Sequence, residues 1–130
     1  MTSFNYDLAG TGSTQNYFAG LGQSTNKVAL YRIDDGAMYK LTVTSGYVNS
    51  QYGAAWTFKD SAGNEHVYFA SNTGSVGVFE LLLDTVTLTG SGTGTRSGTC
   101  EIVSMGTQSA QVKHNDGISC RDLPLVPFAT

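Results

Sequence analysis

Charge is scarce in this chain: Asp, Glu, Lys and Arg make up 13% of its residues, about half the usual share. The seven Lys and Arg are scattered, and the formal net charge is −3. No basic patch exists that could neutralise a run of phosphates, so nucleic acid is not an expected partner. Long apolar runs are also missing. The longest candidate, Val76 to Leu83, is interrupted by Glu80 and falls well short of the roughly 20 residues a membrane helix needs, so membrane insertion is not expected. The start, Met1-Thr2-Ser3-Phe4, lacks the basic region and apolar core of a signal peptide and reads as a mature segment behind an added Met. Proline occurs only twice, at Pro124 and Pro127 in the tail, and leaves the body of the chain free for regular strands.

Histidine and cysteine are equally rare. His66 and His114, with Cys100 and Cys120, have none of the close ligand spacing of a zinc site. The two cysteines are about twenty positions apart, which suits one bridge closing one loop. Such a bridge would contribute about 3 kcal/mol in the loop-entropy picture. With the low charge and high Ser/Thr/Gly content it points to an extracellular or cell-surface location; two buried free thiols in a cytosolic protein are the alternative. Neither a Gly-x-Ser-x-Gly elbow nor a Cys at a helix start is present. The run Gly90-Ser91-Gly92-Thr93-Gly94 lacks the Lys and following helix of a phosphate loop and reads as a flexible linker through Gly98.

What the chain does have is turn and strand chemistry. At 130 residues it has the size of one domain, and Gly and Thr are its commonest residues. Alternation marks Val28-Ala29-Leu30-Tyr31-Arg32-Ile33 and Met38-Tyr39-Lys40-Leu41-Thr42-Val43 as strands around the hairpin signal Asp35-Gly36. In the first of these the large apolar residues are nearly continuous, as in a strand covered on both faces. Lys59 to Glu65 makes a second turn, between Trp56-Thr57-Phe58 and His66-Val67-Tyr68-Phe69. Asp84 to Leu88 reads as a separate strand. Cys100 to Val103 and Ala110 to Lys113 read as a further strand pair, followed by an extended tail.

These strands repeat. Tyr17-Phe18-Ala19, followed by Val28-Ala29-Leu30-Tyr31-Arg32-Ile33, parallels Tyr68-Phe69-Ala70, followed by Val76-Gly77-Val78-Phe79-Glu80-Leu81, at a period of about fifty residues. Upstream, Phe4-Asn5-Tyr6-Asp7 faces Trp56-Thr57-Phe58-Lys59-Asp60. The reading is a single all-β domain of two tandem antiparallel repeats, about 3–53 and about 54–105, with a C-terminal strand pair and tail over 106–130. Four short strands per repeat, with Tyr-Phe-Ala ahead of Val-x-Val-Phe-Glu-Leu, resemble the blades of β-propellers of secreted or cell-surface proteins. The resemblance implies a piece of a larger propeller or a ring completed by several chains. A small sandwich with the same strand pattern stays open.

Three clusters could carry binding. Tyr47, Asn49, Gln51 and Tyr52 lie between the repeats, and Tyr flanked by amides suits sugar stacking or a protein contact. Asp60, Asn64 and Glu65 in one loop offer oxygen ligands to Ca²⁺, as do Asn115 and Asp116, although Asp and Asn also populate plain turns. His66 reads as a half-exposed strand residue. A non-catalytic extracellular repeat module for self-assembly or adhesion is the expected function, because open repeat ends leave strand edges for other copies or for repeats of a parent protein to cover. A glycan-binding lectin-like module and a fragment of a propeller hydrolase are the alternatives.

Overall fold

The computed structural model describes residues 1–106. Eight strands account for most of them and none is helical: β1 (Thr2–Tyr6), β2 (Gln15–Leu21), β3 (Lys27–Arg32), β4 (Met38–Ser45), β5 (Tyr52–Lys59), β6 (Glu65–Ser71), β7 (Val78–Thr89) and β8 (Arg96–Gly106). All belong to one mixed sheet in the order β1-β2-β3-β4-β8-β7-β6-β5. Every neighbouring pair is antiparallel except β4 and β8, which run parallel from Tyr39↔Arg96 to Ser45↔Glu101. Separate blades are not what this pairing makes, because β4 of the first half is hydrogen-bonded directly to β8 of the second.

The sheet curls into a nearly closed barrel. Its two edge strands, β1 and β5, meet along a seam that side chains stitch. Thr57 Oγ1 donates to Ser3 O at 2.7 Å and lies 2.9 Å from Thr2 Oγ1, while the Asn5 amide donates to the Glu65 carboxylate. The free edges expected of an open repeat are thus turned toward each other, which removes the strand-edge argument for assembly. Phe4, Tyr17, Val28, Leu30, Leu41, Val67, Phe69, Leu81 and Cys100 fill the interior.

Alternation explains which side chains point inward. In β3, Val28 and Leu30 are buried while Ala29 and Tyr31 are exposed, so the strand is covered on one face and not on both. Asp35-Gly36 closes the β3–β4 hairpin, with Arg32 N donating to Ala37 O at 2.8 Å. The run 84–88 is not a strand of its own; β7 continues through it to Thr89 with a register shift between Leu82 and Thr87. Nor does the linker extend to Gly98. It ends before Arg96, and Gly98 is a buried residue of β8.

Strand directions put the turns 7–14, 33–37, 60–64 and 90–95 at one end of the barrel. The loops 22–26 and 72–77 and the β4–β5 connection 46–51 lie at the other. That connection crosses the barrel end, since β4 and β5 lie half-way round the sheet from each other. Ser24 N donates to Ser50 O at 3.2 Å and Asn72 N to Gln51 O at 2.8 Å, fixing the crossing to both neighbouring loops.

Candidate functional site

The four residues expected to bind a glycan all lie on or beside this crossing. Asn49 and Gln51 are exposed, but the two tyrosines are half-buried and occupied with the fold. The Tyr52 ring meets Phe79 edge-on at 5.9 Å and Tyr47 at 6.2 Å, and its hydroxyl donates to Val48 O at 2.6 Å. Burial, aided by Tyr47, raises its phenol to about 12. The Tyr47 hydroxyl is buried with no hydrogen-bond partner among the described residues. These rings cap the barrel end from below.

Asp60, Asn64 and Glu65 do not converge on a common point. Asp60 Oδ1 accepts from Ala62 N and Asn64 N, both at 2.9 Å, which makes it the organiser of the β5–β6 turn. Glu65 points to the seam, onto the Asn5 amide. No group of three or more His, Cys, Asp or Glu suited to a metal ion occurs among the described residues. Asn115, Asp116 and His114 lie outside those residues. So does Cys120, the expected partner of Cys100. Cys100 itself is a free thiol, 1% exposed in the barrel interior, where burial raises it to about 12. The described residues form no disulfide.

Sequence reasoning missed a cluster on the outer face of β5–β7. His66 is clamped by two carboxylates, Asp60 Oδ2 at 2.9 Å from Nε2 and Glu80 Oε2 at 2.8 Å from Nδ1. Its ring follows Tyr68, which stacks on Trp56 at 5.7 Å, and it neighbours Phe58 at 6.0 Å. Trp56, Phe58 and Tyr68 are outward-facing and half-buried, not core residues. The signal was available only from register: Tyr68 pairs Glu80 across β6–β7 and Phe58 pairs His66 across β5–β6.

Burial lowers the affinity of His66 for its second proton, and the two carboxylate hydrogen bonds outweigh that, so its pKa lies above the ordinary 6.5. The hydrogen bond from His66, with those from Asn64 and Ala62, holds Asp60 below 3.8. A raised His contributes stability that is complete below its unfolded value and fades as pH rises through the folded one. A lowered Asp contributes stability present above its unfolded value and lost as pH falls through the folded one. Both act together between 3.8 and 6.5. His66→Gln is therefore expected to lower Tm most in that window, and the gap to the parent should narrow as the pH is raised above it. A gap in Tm that stays constant with pH would show that the imidazolium has no role. With both ring nitrogens engaged, His66 has none left to serve as a general base.

A second outward feature is apolar. Register aligns Phe18 with Tyr31 and Tyr31 with Met38 on adjacent strands. Their exposures are 37%, 37% and 52%, and Ile33 beside them is 40% exposed. This row of large side chains crosses β2, β3 and β4 in contact with water.

At the opposite end from the crossing, Arg32 and Arg96 flank the Tyr39 ring at 5.8 and 5.6 Å. Arg96 donates to the Tyr39 hydroxyl at 3.0 Å, and Arg32 forms a two-point ion pair with Asp35. Their donors are committed to closing that end. No family model, curated protein or solved structure matches the chain.

Proposed function

We propose that this chain is a non-catalytic extracellular module whose work is self-association, and that the Phe18-Tyr31-Met38 row is where copies meet. One observation carries the reading: large apolar side chains are lined up in water on neighbouring strands of a protein whose interior is already filled. Contiguous exposed apolar area of this kind marks interaction surfaces, and the low overall charge offers little repulsion between copies. Each half forms a meander of four strands, but Tyr-Phe-Ala faces opposite ways in the two. Tyr17 is buried and Phe18 exposed in β2, whereas Phe69 is buried with Tyr68 outward in β6, so the reading rests on the apolar row and not on the repeat. The glycan-binding alternative has less support, since the Tyr47 and Tyr52 rings pack on each other and Tyr52 packs on Phe79.

Sedimentation of the parent protein is expected to show concentration-dependent assembly. Phe18→Ser with Tyr31→Ser should raise the concentration of half-assembly at least tenfold while leaving Tm within a few degrees, because both residues are exposed. A parent chain that stays monomeric at high concentration would retire the proposal.

A further inference from the structure

Resting on the self-association reading, we infer that copies dock through two oppositely charged outer surfaces, the lysine-bearing side of β3–β4 on one copy against the carboxylate-bearing side of β7–β8 on another. Alternation along the strands decides which charges face water. On β2–β4 the outward charged residues are Lys27 and Lys40, next to the apolar row at Met38. On β7–β8 they are Glu80 and Glu101, with Asp84 exposed at the bulge and Val103 exposed beside them. The outward strand positions of β3–β4 thus carry lysines and those of β7–β8 carboxylates, each beside exposed apolar side chains.

Glu80 is engaged by His66 and Lys27 donates to Thr42 Oγ1 within one copy, so the charges left for a partner are centred on Lys40 and Glu101. Lys40 and Glu101 have no ion-pair partner among the described residues. The β4–β8 register puts Lys40 opposite Ser97 and Glu101 opposite Ser45, toward the two ends of the strand pair. At about 3.3 Å per residue they are roughly 13 Å apart along the strands, beyond the Debye length of about 8 Å at physiological salt. Attraction between them in one chain is therefore largely screened, whereas contact between two copies would bring opposite signs together. A second copy of this chain is the occupant that matches both surfaces at once, because every copy carries both. Complementary charge of this kind sets orientation and register more than raw affinity.

Charge reversal tests this directly. Lys40→Glu and Glu101→Lys are both exposed substitutions, and unchanged circular dichroism and Tm will show that each variant folds. Each alone is expected to raise the concentration of half-assembly about tenfold. The double variant Lys40→Glu with Glu101→Lys restores the complementarity with signs exchanged and should regain parental assembly. Additive weakening in the double variant would overturn the pairing. So would single variants that assemble like the parent while Phe18→Ser with Tyr31→Ser does not, and that result would leave the apolar reading standing. A monomeric parent would remove both.

Discussion

Gly98→Ala is expected to destabilise the barrel by about 3 kcal/mol, the upper part of the range for overpacking, and to lower Tm by roughly 10 °C. Gly98 lies mid-strand in β8, paired to Leu41 on one side and Leu88 on the other. Its backbone is not in the left-handed region, so the demand is for space alone. A Cβ there would collide with the Thr87 carbonyl oxygen and come within 2.6 Å of Leu41 Cδ2. The Leu41 methyl can rotate aside; the Thr87 carbonyl is backbone and cannot. It lies there because the register shift between Leu82 and Thr87 presses β7 onto β8. Gly46 makes the complementary case, where φ is +92° and a Cβ would strike the backbone of Ile102, with the carbonyl carbon at 2.8 Å. Gly46→Ala should destabilise comparably, through both strain and collision. Chemical denaturation checks both. A loss below about 1 kcal/mol at Gly98 would mean that β7 and β8 do not approach this closely.

The role of Gly98 also shows where sequence reading stops. Alternating patterns marked β3 and β4 because their inward residues are apolar and the turn between them carries Asp35-Gly36, whereas in β5 the inward positions are Ala55 and Thr57 and the aromatics face out. Apart from Arg96 the stretch 90–98 is all Gly, Ser and Thr, and nothing local says that Arg96 onward joins a central strand. Its membership is decided by the parallel pairing with β4, a contact between residues far apart in sequence. The same non-local pairing turns two meanders into one barrel, where strand count and period alone are equally compatible with blades. The outward row was hidden for a different reason. Tyr31 is a large side chain on the exposed face of β3, followed by the exposed Ile33 in the turn beyond it, and hydrophobicity without register cannot separate a doubly covered strand from one with a sticky outer side. His66 was seen as half-exposed, but Glu80 was not seen as its partner, since a cross-strand diagonal leaves no trace in spacing. At the Tyr47–Tyr52 segment the amides suggested solvent, while the crossing to β5 set Tyr52 against Phe79 and Tyr47 against Tyr52.

Phe4→Ala should cost about 4 kcal/mol, within the span for large-to-small core changes at Phe, and its effect should spread unevenly. Phe4 is fully buried and stacks on Tyr17 at 5.4 Å from β1, the strand whose outer edge has no backbone ladder. β1 is held by β2 on one side and, on the other, by the Thr57 hydroxyl on Ser3 O and the Glu65 carboxylate on the Asn5 amide. Removing the Phe4 ring takes away the apolar anchor of the seam and leaves those polar contacts to hold it alone. Hydrogen exchange should therefore accelerate first in β1 and β5, with β4 and β8 retaining protection. Thr57→Val keeps the shape and deletes the hydroxyl, leaving Ser3 O without that donor, and is expected to cost about 1–2 kcal/mol. Its exchange pattern should follow that of Phe4→Ala at smaller amplitude, because both changes loosen the same junction. If Phe4→Ala instead raised exchange uniformly across all eight strands, the seam would be as cooperative as the hydrogen-bonded pairs. Closure would then owe more to the shared interior than to the side chains that bridge β1 and β5.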